Sequence, residues 1–157
     1  MKRMIPVLAL VAAGLFGTAL LAADTANDVK WTEDYKAALE QAKKDKKMVL
    51  LDFTGSDWCG PCISLHDKVL SSPEFAKWAK ERFVLVTLDY PSEKKQTDAV
   101  KKQNAELKDK YKIQGYPTVI LLNAEEKEVA RTLGYGGQVP AEWIATQEKE
   151  LAKGTAK

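Results

Sequence analysis

Short apolar runs alternate with polar, helix-periodic segments through most of this chain. Met48-Val49-Leu50-Leu51-Asp52-Phe53-Thr54 is an apolar run of strand length, of the kind a strand covered on both faces needs. Thr54-Gly55-Ser56-Asp57 reads as a turn, after which Ile63, Leu65, Val69 and Leu70 fall at roughly helical spacing. Ser72-Pro73-Glu74 restarts a helix with Phe75, Trp78 and Ala79 on one face, since proline fits the first helical turn. Phe83–Asp89 reads as a second central strand. Tyr90 to Lys95 breaks the pattern, and Thr97 to Tyr111 predicts a polar helix. Thr118 to Asn123 and Glu128 to Leu133 predict an antiparallel hairpin, ended by Gly134, Gly136 and Gly137. Pro140-Ala141-Glu142-Trp143-Ile144 opens a last helix. Near the start, Thr32-Glu33-Asp34 predicts an N-cap with acidic first-turn residues, opening a helix through Ala42.

Residues 1–23 stand apart from this pattern. Lys2 and Arg3 precede an almost wholly apolar stretch from Ile5 to Leu21, and Ala22-Ala23 leads into the polar Asp24-Thr25-Ala26-Asn27-Asp28. That is the layout of a secretory signal peptide, with cleavage expected after Ala23. An uncleaved membrane anchor is the alternative, because the stretch approaches the length of a spanning helix. No cysteine follows it, which argues against lipid-anchored cleavage. Residues 24–30 read as a flexible lead and residues 31–157 as a single domain, since such a length suffices for one sizeable core.

Charge narrows the possible partners. The full chain has 24 Lys and Arg against 22 Asp and Glu, and loss of residues 1–23 removes two basic residues and no acidic one. The resulting neutral chain carries no electrostatic signature for nucleic acid. Lys43-Lys44-Asp45-Lys46-Lys47 is a basic run, but lysines favour a helix C-terminus, and a solvated helix end accounts for it. Nothing in the pattern fixes an oligomeric state.

The candidate chemistry lies in Trp58-Cys59-Gly60-Pro61-Cys62, which holds both cysteines of the chain. Two thiols at Cys-x-x-Cys spacing at a helix start can close and reopen a disulfide with little backbone movement. The first thiol there meets the positive end of the helix and its free N–H groups, which favour thiolate. Pro61 suits the first turn, where its missing N–H costs nothing. Cys59, nearest the helix N-terminus, is expected to attack, and Cys62 to resolve the mixed disulfide. The site also sits where a strand ends, the place at which open α/β sheets carry their chemistry. His66 is the only histidine, and with two cysteines it leaves a structural zinc site one ligand short, so it reads as a helix-surface residue. Ile63 rather than His follows Cys62, which excludes a c-type haem site.

With Gly115-Tyr116-Pro117-Thr118 about fifty-five residues downstream of the pentapeptide, the chain resembles the thioredoxin family from roughly Trp31 to Leu151. Asp52-Phe53 before the turn and Val119-Ile120-Leu121-Leu122 after the loop add to the likeness. Phe53-Thr54-Gly55-Ser56-Asp57-Trp58-Cys59 looks closer to exported bacterial members than to the cytosolic enzyme. The resemblance implies a thioredoxin fold of order β-α-β-α-β-β-α with an added N-terminal element, a mixed sheet flanked by helices. It implies that Trp58, Gly60 and Pro61 support the dithiol. It also implies a cis Pro117 whose loop, with Tyr116 and Thr118, lies against the dithiol, offers backbone groups to a substrate strand and keeps metal ions out. In the family an aspartate at the place of Asp52 lies beneath the second cysteine and helps move its proton. Two departures bear on that role. Asp52 stands seven residues before Cys59, one more than usual, and the lysine that accompanies the aspartate is missing from Leu85-Val86-Thr87.

The resemblance therefore implies an exported thiol–disulfide oxidoreductase that needs no cofactor beyond its own dithiol. The Gly-Pro dipeptide is similar to that of reducing members. A disulfide oxidase or isomerase on the same fold, and a non-catalytic binding module with a structural Cys59–Cys62 bond, remain the alternatives. A reductase outside the cytoplasm works in an oxidising compartment, so its implied partners are protein disulfide clients and a membrane thiol relay that supplies electrons.

Overall fold

Along Met48–Thr54, Val49, Leu51 and Phe53 alternate with Leu50, Asp52 and Thr54, and successive strand side chains point to opposite faces. The first set enters one core and Leu50 enters another, so the sheet is covered on both sides. The computed structural model describes residues 29–155. The expected leader, its cleavage after Ala23, the anchor alternative and residues 24–28 of the lead lie outside the described residues. Among the described residues no helix is long and apolar enough to cross a membrane.

The elements run β1 (Trp31–Thr32), α1 (Tyr35–Asp45), β2 (Met48–Thr54), α2 (Gly60–Leu65), α3 (Pro73–Ala79), β3 (Phe83–Asp89), α4 (Asp98–Lys110), β4 (Thr118–Leu122), β5 (Glu128–Leu133) and α5 (Pro140–Thr155). The sheet order is β1-β3-β2-β4-β5, with β3 parallel to β1 and β2, and β4 antiparallel to β2 and β5. This is the expected thioredoxin fold. Tyr35 and Leu39 of α1 and Leu107 of α4 pack on the Val49 face. Leu65 of α2, Phe75 and Ala79 of α3, and Trp143 and Leu151 of α5 cover the Leu50 face. By the same alternation Asp52 points toward α2, the helix that begins at the dithiol.

Two local expectations need correction. Thr32 does not cap α1. It belongs to β1, paired with Val86 of β3, and its Oγ1 accepts the Asp34 N–H at 3.1 Å. Asp34 is the N-cap, accepting from Ala37 N at 2.9 Å, and the first turn carries no acidic residue. A two-residue strand is too short to show alternation, so the polar run around it read as a helix start. The second correction lies after α2, where His66–Leu70 forms a π-helical turn. Leu65, Val69 and Leu70 are buried, whereas Ile63 is 40% exposed beside the dithiol.

Elsewhere the reading holds. Thr97 caps α4 by accepting from Val100 N at 3.3 Å, with Tyr111 at its other end. Lys43 and Lys44 fall in the last turn of α1, and that helix closes on Lys46 at φ 56°. Phe75, Trp78 and Trp143 meet ring to ring under α5.

Candidate active site

Cys59 caps α2: its backbone is extended, its Sγ accepts from Cys62 N at 3.3 Å, and Pro61 occupies the first turn. Cys59 and Cys62 form a disulfide with a Cα–Cα distance of 5.2 Å. Both residues are buried, Cys59 5% exposed and Cys62 2%. A Cβ at Gly60 would meet nothing within 4 Å, so no close contact demands glycine there.

The turn before the dithiol is held by two aspartates. Asp89, at the end of β3, accepts from Ser56 N at 2.9 Å and from Ser56 Oγ at 2.6 Å. Asp57 accepts from the backbone N–H groups of Ser92, Glu93 and Lys94 at 2.9, 2.8 and 3.1 Å, which hold its carboxyl below the usual range. The segment after β3 that breaks the sequence pattern is thereby tied to the active-site turn. In sequence Asp57 reads only as a turn residue, because its partners lie 35 to 37 positions away.

Trp58 is 52% exposed and folds over Gly55. Its Nε1 donates to Tyr90 O at 2.8 Å, and its ring meets Tyr116 edge-on at 5.8 Å. Tyr90 and Tyr116 lie 5.2 Å apart, and the Lys108 ammonium stands over both rings. The Tyr116–Pro117 peptide bond is cis. Thr118 Oγ1 donates to Gly115 O at 2.7 Å, and Gly134 N donates to Pro117 O at 2.8 Å. Among the described residues no hydrogen bond engages the backbone of Tyr116. A wall of aromatic rings beside Cys59 and an unengaged backbone segment therefore meet at one place.

Asp52 is buried, opposite Thr87 on β3 and Val119 on β4, and its Oδ1 has no hydrogen-bond partner. Burial pushes its carboxyl up to about 7, Asp89 adds to the shift and His66 opposes it. Asp52 shares with Cys62, Thr54, His66, Asp89 and Lys94 the wall of a pocket of about 360 Å³ on the α2 side of the sheet. His66 is on the helix surface as expected, its side chain 64% exposed, yet it also borders this pocket, which its sequence neighbours do not reveal. Among the described residues no three His, Cys, Asp or Glu side chains gather as a metal-binding group.

A family model described as thioredoxin-like matches residues 30–124. The chain belongs to the thioredoxin-like family. It is 41% identical over 106 residues to the disulfide bond reductase DsbH of Chlamydia pneumoniae, covering 68% of this chain and 63% of that protein. It is 38% identical over 112 residues to the thioredoxin-related protein DsbJ of the same organism, covering 71% of this chain and 32% of that protein. The chain thus spans less than two thirds of the length of either relative. A solved structure of a DsbH oxidoreductase superposes with a TM-score of 0.74 at 34% identity, over 90% of this chain and 95% of that one. Within this thioredoxin-like frame Asp52 reaches the pocket beside Cys62 in spite of the extra residue in the turn, and the residue opposite it on β3 is Thr87, on a strand with no lysine.

Proposed function

We propose that this thioredoxin-like chain is an exported thiol–disulfide oxidoreductase that reduces protein disulfides. The observation that carries this reading is the Cys59–Cys62 disulfide at the start of α2, after the carboxyl end of β2, with the neighbouring Trp58 ring against Tyr116 of the cis-proline loop. A structural bridge over two intervening residues would restrict the unfolded chain little, whereas a redox pair needs such a short, reversible loop.

In the reduced protein the Cys59 thiolate is stabilised by the N–H groups and dipole of α2. It attacks a client disulfide, forming a Cys59–client bond and releasing one client thiolate. Cys62 then attacks Cys59, the second client sulfur leaves, and two electrons have passed to the client. Tyr116, Pro117 and Thr118 receive the client strand, with the unengaged backbone of Tyr116 left to pair with it. Trp58, Gly60 and Pro61 shape the start of α2, and Asp52 accepts the Cys62 proton. Residues 1–23 act as a leader removed after Ala23, delivering the domain to the periplasm, where a membrane thiol relay returns electrons to the pair. The resemblance to a disulfide bond reductase, DsbH, supports reduction rather than oxidation.

The test is the reduction potential of the Cys59/Cys62 pair in glutathione buffers. A value near about −270 mV supports a reductase that needs a donor; one near about −120 mV would make it an oxidase.

A further inference from the structure

The thioredoxin-like frame places a buried carboxylate beneath the second cysteine but here supplies no lysine from the neighbouring strand, since Thr87 stands opposite Asp52. A buried acid with no cation near it stays protonated and makes a poor base. The pocket that Asp52 enters is rich in other charges. Glu33 lies ahead of α1, Asp89 at the end of β3, Lys94 in the following loop, and His66 and Asp67 in the π-helical turn after α2. Of its two basic residues, Lys94 is spoken for: its Nζ donates to Ser56 Oγ at 2.8 Å, and Ser56 is bonded to Asp89.

His66 is placed differently. Its backbone N–H donates to Cys62 O and Ile63 O, so it stands one turn beyond the resolving cysteine on the same helical run. Its Nδ1 lies 3.0 Å from Asp67 Oδ1, and the residue lines the pocket that Asp52 and Cys62 also line. We propose that His66 is the positioning residue of the resolving step: held at the rim by Asp67, it eases ionisation of the buried Asp52 so that the carboxylate can accept the Cys62 proton. The electrostatic balance at Asp52 agrees, for His66 is the neighbour that favours the ionised carboxylate while Asp89 disfavours it.

This inference rests on the oxidoreductase reading. In the step, Cys62 Sγ–H gives its proton to the Asp52 carboxylate and its sulfur attacks Cys59 Sγ. The Cys59–Cys62 bond forms as the Cys59–client bond breaks, and the client sulfur leaves as thiolate and is protonated by water. The cysteine pair loses two electrons and the client disulfide gains them.

The test uses reduced protein mixed with 5,5′-dithiobis(2-nitrobenzoate). The first nitrothiobenzoate released reports attack by Cys59, and the second reports resolution by Cys62. Both phases are followed from pH 5.5 to 8.5 in the wild type, His66→Gln and Lys94→Gln. Loss of the imidazole raises the Asp52 pKa, so in His66→Gln the midpoint of the second phase should move up by about half a unit or more. The first phase should keep its wild-type profile, and Lys94→Gln should leave the second-phase midpoint in place. The carboxyl ¹³C titration of Asp52 in the reduced proteins should shift the same way in His66→Gln. Superimposable profiles and titrations in wild type and His66→Gln, or an equal shift in Lys94→Gln, would overturn the proposal. A wild-type protein with no second phase would instead sink the oxidoreductase reading, and the Asp52 titration would still decide whether His66 governs that carboxylate.

Discussion

Gly55 lies under the indole of Trp58, so close that a Cβ at Gly55 would stand 2.5 Å from Trp58 Cε2. The absent side chain lets Trp58 fold back over its own turn, where Nε1 reaches Tyr90 O and the ring edge meets Tyr116. One glycine thus sets the aromatic wall beside Cys59.

Gly55→Ala should therefore expel the ring rather than break the strand before it. The losses are one hydrogen bond and one aromatic pair, together about 1–2 kcal/mol. Urea unfolding would read the cost, and the Trp58 indole N–H resonance should lose its protection from exchange. An indole signal unchanged from wild type would show that the turn gives way instead.

Asp57→Ala should free the loop after β3 without unfolding the domain. Three backbone N–H groups, of Ser92, Glu93 and Lys94, lose one acceptor, so their amide exchange should accelerate together. The Asp57 pKa is depressed by these bonds, so their contribution is present above the ordinary carboxylate range. It fades as pH falls through the lowered value, and wild-type protection at these amides should fall on acidification. Equal exchange in wild type and variant at pH 7 would contradict the clamp.

The central strands were legible because Met48–Thr54 and Phe83–Asp89 are apolar runs whose burial needs no distant information. The dithiol and the Tyr116–Pro117 loop were legible as a pair of motifs at a family spacing. What escaped were features decided by partners far along the chain. β1 has two residues and exists because Trp31 and Thr32 find Leu85 and Val86. The π-helical turn at His66–Leu70 buries the same Leu65, Val69 and Leu70 that a regular helix would favour, so periodicity is nearly blind to it. His66 and Asp57 matter through Asp52 and the loop after β3, and neither link leaves a local mark. Gly154 is the same kind of case: a Cβ there would fall 1.7 Å from Val129 O, a packing of α5 against β5 that composition cannot show.

Asp52→Asn should make the oxidised protein's stability less dependent on pH. The folded-state pKa of Asp52 is raised from 3.8 to about 7, mainly by burial. Between those values the folded chain holds a proton that the unfolded chain has lost, so wild-type stability falls as pH rises through this window. The stability of Asp52→Asn relative to wild type should climb between pH 4 and pH 8 by an amount on the order of 4 kcal/mol at most. Any constant cost of burying the amide drops out of that difference. Parallel stability–pH curves from urea unfolding would mean that Asp52 is not held neutral.

Cys62→Ser should trap clients, because the variant keeps the helix-capping thiol that attacks and loses the one that resolves. Cys59 in that variant should accumulate mixed disulfides with client proteins, visible as reductant-sensitive bands on non-reducing gels. Cys59→Ser should yield few, since Cys62 lies inside α2 and lacks the N-cap position that favours thiolate at Cys59. Trapping should weaken when Tyr116→Thr is added, because that ring forms the wall between Trp58 and the cis proline. If Cys59→Ser trapped as efficiently as Cys62→Ser, the attacking and resolving roles would have to be exchanged. If neither variant trapped protein, the Cys59–Cys62 bond would be structural.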